Sequence, residues 1–246
     1  MTGSFCLSEY QALLSFLTAG GWSFAKFTNI DAVRPRELIL RHDIDAELYL
    51  LDSFLEMEAE TNVQATYFVM PESAFYNVSS PEGRRITSKI IGTGHSIGLH
   101  FFGEIHAHLS QSDLESQIQR QATMLSETVG ADVKAFSFHQ PTQAMLKMNL
   151  DIPGLINTYH QDLMRRFTYV SDTNMNWRPS EPRDMITSGA SRMQMLIHPL
   201  WWITEGVTPR ERWIQVLKAN TYVHAQHLVA REGTLLGVYA RDLTSP

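Results

Sequence analysis

Cys6 is the only cysteine among 246 residues, so no disulfide can form within the chain. No apolar run approaches the roughly 18 residues that suggest a membrane span. The opening MTGSFCLSEY lacks a basic stretch leading into an apolar core, so no secretion signal is expected. Positive charge is scarce too: 20 Lys+Arg stand against 26 Asp+Glu, a net charge of −6. The basic clusters are small: Arg84-Arg85, Arg165-Arg166, and Arg210 with Arg212. Nucleic acid as the main partner is therefore argued against, because phosphate binding needs a concentrated basic face. Internal repeats, low-complexity segments and linker-like shifts of composition are also missing. What remains is an ordinary globular composition, 43% hydrophobic and 19% charged, enough to bury a large core. The expectation is one cytoplasmic domain over residues 1–246, with no membrane partner.

Along the chain, helical and strand patterns alternate. Tyr10, Leu13, Leu14 and Leu17 share one face of a helix opened by Ser8 and stopped at Gly20-Gly21. Glu37 to Arg41 reads as a short buried strand, 46–60 as a helix and 64–70 (QATYFVM) as a strand. The loop PESAFYNVSSPEG leads into a helix ending near Gly92 or Gly94, and HSIGLH follows as a strand. SDLESQIQRQATMLSETV reads as an amphipathic helix capped by Ser112 or Asp113. KAFSFHQP, LINTY, FTYVSD and MQMLIHP read as strands, 208–233 as a long helix, and TLLGVYA as a last strand. This alternation points to an α/β fold with a largely parallel sheet.

Polar residues recur where these strands end: Asp43, Asp45, His100, His139 and His198. In α/β barrels that edge carries the active site. Asp43 and Asp45, two apart on an extended chain, face the same way. Two such carboxylates repel unless a cation lies between them or one holds a proton. The plain alternative is a solvated strand end, with Asp45 as the N-cap of the next helix. One strand-end histidine says little, but three beside a paired-Asp strand point to a metal centre. Imidazole with carboxylate suits Zn²⁺ and its neighbours in the series.

These motifs resemble the NodB-homology polysaccharide deacetylases. The resemblance rests on RHDID (41–45), ATYFVM (65–70), GHSIGLHF (94–101), FSFHQP (136–141), SDTNMNW (171–177) and MLIHPLWW (195–202), in that order. It is strongest to a divergent His-Asp-x-Asp branch associated with bacterial surface-polysaccharide biosynthesis. It implies a distorted (β/α) barrel with one divalent metal, Zn²⁺ or another ion such as Mn²⁺. By the same resemblance Asp43 is the catalytic base, Asp45 and His100 are metal ligands, and His198 is the general acid. His139 stands where the family has an arginine near the site, which implies contact with substrate. Asp172 and Trp177 loosely match an Asp-Trp motif lining the pocket. The family's second histidine, four residues after His100, is replaced here by Glu104. Glu104 is expected as the third ligand, with His106, His108 or water as alternatives, while His95 reads as structural. Trp177, Trp201 and Trp202 offer either a stacking surface for a sugar or barrel core.

The expected activity is hydrolysis of an N-acetyl group on an amino sugar or related small amide, with metal-bound water attacking the carbonyl. Two alternatives remain open: a non-catalytic carbohydrate-binding member of the same fold, and a metal-independent amide hydrolase of that fold.

Overall fold

The computed structural model describes residues 5–30 and 34–236. Its strands are β1 (Ser23–Ala25), β2 (Glu37–Ile44), β3 (Thr66–Val69), β4 (Ser96–Phe102), β5 (Ala135–His139), β6 (Ile156–Asn157), β7 (Thr168–Ser171) and β8 (Arg192–Ile197). The helices are α1 (Leu7–Ala19), α2 (Asp52–Thr61), α3 (Pro81–Gly92), α4 (Gln111–Val129), α5 (Gln143–Met148), α6 (Gln161–Arg166), α7 (Pro182–Thr187), α8 (Leu200–Ile203) and α9 (Pro209–Leu236). All strand pairings are parallel, in the order β6-β5-β4-β3-β2-β8-β7, with β1 paired to the first half of β2. The architecture is the expected α/β, distorted (β/α) barrel. It stays open between β6 and β7, which do not pair.

Side chains close that gap. Arg41 reaches across the interior from β2 and donates to Thr158 Oγ1 at 2.8 Å and the Tyr159 hydroxyl at 3.1 Å, just past β6. From β8, Gln194 Nε2 donates to the Thr158 carbonyl at 3.1 Å. Below this polar layer the interior is plugged by Phe27, Ile39, Phe68, Ala135, Leu163 and Phe167. Gly98 makes room for the plug, since a Cβ there would sit 2.4 Å from the Phe68 ring. The interior is thus a packed core, as in other α/β barrels.

The alternation of β2 explains both layers. Ile39, Arg41 and Asp43 face inward, whereas Leu38, Leu40 and Ile44 join the larger core under the helices. All eight residues of β2 are buried, as expected of a parallel strand covered on both faces. His42 also points to the helix side, where Glu58 of α2 waits. Glu58 accepts from Tyr10 at 2.6 Å, Tyr67 at 2.5 Å and His42 Nε2 at 2.8 Å, and none of the four is exposed to solvent. His95 completes this knot, its Nε2 lying 3.6 Å from Glu58 while its Nδ1 accepts from Ala65 N at 3.1 Å. Its burial there agrees with the structural reading of His95.

Three expectations need correction. The helix expected over 46–60 begins only at Asp52, after a 3₁₀ turn at Leu48–Leu50. Ala46 and Glu47 have their polar groups engaged elsewhere: Ala46 O accepts from Asn220 Nδ2 at 2.8 Å, and Glu47 binds two backbone amides. The cap of α4 is Ser110, whose Oγ accepts from Asp113 N, in place of Ser112 or Asp113. The expected strand TLLGVYA begins inside α9, and its residues from 237 onward lie outside the described residues. Among the described residues, no helix is long and apolar enough to cross a membrane.

Candidate active site

The C-terminal ends of β2, β4, β5, β7 and β8 open into one cavity of about 550 Å³, lined by Asp43, Asp45, His100, His139, His198 and Trp201 among others. Asp45, just past β2, is the focus. Its Oδ1 lies 3.1 Å from His100 Nε2 on β4 and 3.0 Å from His139 Nδ1 at the end of β5. The two imidazoles stand edge to face, with ring centroids 5.1 Å apart. One ligand atom from each of Asp45, His100 and His139 falls within 4.8 Å of the others.

Ser137 orients His100. His100 Nδ1 lies 2.8 Å from Ser137 Oγ, and Ser137 in turn donates to Asp43 Oδ1 at 3.4 Å. That donation leaves the Ser137 oxygen to accept from Nδ1, an arrangement that holds the ring with Nε2 turned toward Asp45. A ligating histidine is commonly fixed this way through its other ring nitrogen. Burial alone would raise the Asp45 pKa, but hydrogen bonds from His100 and His139 overcome it and hold the carboxyl well below its usual range. Burial disfavours the charged His139 imidazole, yet Asp45 pulls its pKa upward.

Asp43 points into the same cavity beside Arg41. The guanidinium donates to both carboxylate oxygens, at 3.2 Å and 2.7 Å, and both side chains are buried. Burial opposes ionisation of Asp43, but Arg41 outweighs it and lowers the pKa. Arg41 itself lies 4.8 Å from the Tyr159 ring centroid and 5.4 Å from that of Phe68, which fixes its plane.

His198 follows β8 on another wall of the cavity. Asp172, just past β7, receives its Nδ1 at 2.6 Å and its backbone N at 3.1 Å, and also accepts from Trp202 Nε1 at 2.8 Å. Burial works against a charged imidazole here. Asp172, assisted by Asp45 and Asp43, reverses the balance and pushes the His198 pKa up to about 9. Behind Asp45 and His198, the buried Glu47 carboxylate accepts from Ala46 N at 2.9 Å and Leu200 N at 3.2 Å. It thereby ties the loop after β2 to the loop after β8. Burial, with Asp45 beside it, pushes the Glu47 pKa up to about 7.

The structure brings Asp43, Asp45, His100, His139, His198 and Trp201 to the cavity and leaves two expected residues elsewhere. Glu104 is exposed, on the turn Glu104–His106. The chain leaves the site one residue earlier, where Gly103 N donates to the His139 carbonyl at 3.0 Å and turns into helical geometry. The place expected for Glu104 beside Asp45 and His100 is taken by His139, which had been expected to touch substrate. His106 lies apart as well, at 2.8 Å from Glu72 and stacked on Phe101, while His108 is exposed. Trp177 is absent from the cavity lining and packs against Phe5 and Trp202. The sequence pattern assigns no role to Arg41 or Ser137, although each lies two residues before a candidate site residue and so shares its strand face.

No protein-family model matches the sequence, and no curated protein matches it. Among solved structures, the chitin deacetylase of the fungus Colletotrichum lindemuthianum is similar at 18% identity, over 76% of this chain and 84% of that one, with a TM-score of 0.48. A family 4 carbohydrate esterase from Streptomyces lividans, in complex with acetate, is similar at 16% identity, over 79% and 88%, with a TM-score of 0.45. Wild-type BA3943 of Bacillus anthracis, described as a CE4 family pseudoenzyme, is similar at 15% identity, over 74% of this chain and 59% of that one, with a TM-score of 0.41. Likenesses this distant carry no chemistry over to the present chain, which has to be read from its own side chains.

Proposed function

We propose that the protein is a metal-dependent hydrolase that removes the N-acetyl group of an amino sugar or a related small amide. One observation carries the reading: Asp45, His100 and His139 converge within a single cavity, beside an ionised Asp43 and a protonated His198. The donor set fits a divalent cation. It offers one carboxylate oxygen and two imidazole nitrogens from the ends of β2, β4 and β5, with His100 Nε2 already turned toward Asp45. Zn²⁺ or a neighbour such as Mn²⁺ is the matching chemistry. Asp45, His100 and His139 would hold such an ion, which would supply Lewis acidity toward the scissile carbonyl.

The chain's own groups handle the protons. Asp43, kept anionic by Arg41, takes a proton from the attacking water as the C–O bond forms. His198 keeps Nδ1 on Asp172, so Nε2 is the nitrogen left to protonate the departing amine as the C–N bond breaks. Acetate and a free amine are the products. A base held ionised and an acid held protonated at the same pH are what this sequence of transfers requires.

Asp172→Asn separates the acid's charge from its position, because the amide oxygen can still accept from the backbone of His198. A group raised by an anionic partner is protonated below its pKa and loses its proton as pH rises through it. The alkaline limb of kcat/KM is therefore expected above the ordinary imidazole range with Asp172 present. It is expected to move toward the ordinary imidazole value of about 6.5 in Asp172→Asn. A pH–rate profile reads this directly, and an unmoved limb would remove His198 from the acid role.

The activity itself is tested by loading the purified chain with Zn²⁺ or Mn²⁺ and measuring acetate released from N-acetylglucosamine and its oligomers. Metal-dependent release is expected. The exposed Glu104 favours the non-catalytic alternative, since the ligand four residues after His100 is lost. A chain that binds these sugars yet stays metal-free and inactive after reconstitution would establish that alternative.

A further inference from the structure

We propose that Phe75 and Trp213 wall off one side of the cavity, so that the site accepts a single N-acylated sugar or the terminal residue of a short glycan and rejects internal residues of a polymer. The proposal rests on the deacetylase reading for its substrate chemistry and on the shape of the cavity for its selectivity. A polysaccharide processed at an internal residue must enter on one side of the reacting unit and leave on the other. Here one side is bridged. Phe75, in the loop after β3, and Trp213, in the first turns of α9, both line the cavity, and their ring centroids are 5.8 Å apart. At that separation the rings are in contact, and no sugar passes between them.

Both halves of the bridge are fastened. In the β3 loop, the Tyr76 hydroxyl donates to Ile44 O at 2.8 Å and accepts from Met70 N at 2.8 Å, while Asn77 N donates to the Tyr49 hydroxyl at 2.7 Å. Beside Trp213, the buried Arg212 donates to the carbonyls of Trp201, Thr204 and Gly206. The first turn of α9 is thereby tied to the segment that carries Trp201, next to the catalytic histidine. Each backbone segment that carries a ring of the bridge is thus held by three hydrogen bonds.

Another part of the wall has a different character. Gln140, after β5, and Asn174, after β7, line the cavity and are exposed, and both have left-handed backbones (φ 47° and 55°). Their amides suit the hydroxyl groups of a second sugar lying outside the cavity. The cavity volume of about 550 Å³ is in the range of pockets that surround a small ligand, about 300–1,000 Å³. One sugar ring with its acyl group inside, and any extension directed over Gln140 and Asn174, fits both features.

The test uses the metal-loaded full chain and N-acetylglucosamine oligomers of two to five units, with mass-spectrometric mapping of the deacetylated position. The wild type is expected to deacetylate one terminal unit per chain. Phe75→Ala combined with Trp213→Ala is expected to extend hydrolysis to internal units, and Phe75→Leu with Trp213→Leu guards against loss of fold. Internal hydrolysis by the wild type, or an unchanged pattern in both opened variants, would overturn the proposal. Saturation-transfer NMR with the tetramer provides a readout that does not depend on turnover. Contacts confined to an end unit support the closed wall even if no acetate is released, in which case the hydrolase reading alone fails. Contacts spread evenly along the tetramer, or no binding, would overturn it.

Discussion

His198→Ala is expected to lower kcat on an acetamide by about 10²–10⁴-fold, the usual contribution of one positioned general acid. An amine is a poor leaving group until it is protonated, and Nε2 of His198 is the proton source that Asp172 keeps charged up to about pH 9. An aryl acetate presents a different demand, because its leaving phenolate departs without a proton. The same variant should therefore lose little on an activated ester, within about tenfold, if acid catalysis is what His198 supplies. The substitution leaves Asp172 with its bonds from the backbone of residue 198 and from Trp202 Nε1, so the loops after β7 and β8 stay joined. Equal losses on ester and amide would mean that His198 positions substrate or metal and does not move a proton.

The largest effect on stability is expected far from the chemistry, at Glu58. Glu58→Ala removes the acceptor shared by Tyr10, Tyr67 and His42, all three of which are buried. Removing one partner of a buried pair costs about 3–5 kcal/mol, a large part of the roughly 5–15 kcal/mol that separates folded from unfolded states. At about 2–4 °C per kcal/mol for a chain of this size, the midpoint of thermal unfolding should fall by about 10 °C. Burial opposes the Glu58 charge, but His42, with His95 and the Tyr10 hydroxyl, keeps its pKa below the usual carboxylate value. The stabilisation is accordingly present above the ordinary glutamate pKa of about 4.3 and is lost as pH falls below it. Calorimetry on wild type and Glu58→Ala across pH 3–8, roughly the span in which carboxylates and imidazoles titrate, should show the two curves converging in acid. A constant difference at all pH values would mean that Glu58 fills space and its charge contributes nothing.

The strand ends were legible in the sequence because alternation is local. Asp43, Asp45, His100 and His198 could each be placed at the end of an apolar run, and a largely parallel α/β fold followed from the succession of strands and helices, whereas the barrel was implied by the resemblance to the NodB-homology deacetylases. Partnership between strands was not legible. His139 joins Asp45 and His100 because β4 and β5 pair with Phe102 opposite His139, and nothing within either segment states that register. The resemblance implied Glu104 beside Asp45, four residues after His100, but it does not reveal that the chain turns at Gly103 and carries the side chain into solvent. The knot around Glu58 was hidden for the same reason. Tyr10, His42 and Tyr67 reach Glu58 of α2 from α1, β2 and β3, 9 to 48 residues away from it along the chain.

The exchange of Glu104 for His139 is the centre of this account, and a metal titration tests it most directly. Apo protein prepared by chelation, titrated calorimetrically with Zn²⁺ and assayed for bound metal, should take up one ion per chain. His139→Ala should weaken that binding by more than the about 10–100-fold usual for losing an outer-sphere partner, because a directly bound nitrogen is removed. Glu104→Ala should bind as the wild type does. Undiminished Zn²⁺ affinity in His139→Ala, with the loss found in Glu104→Ala, would contradict the assignment.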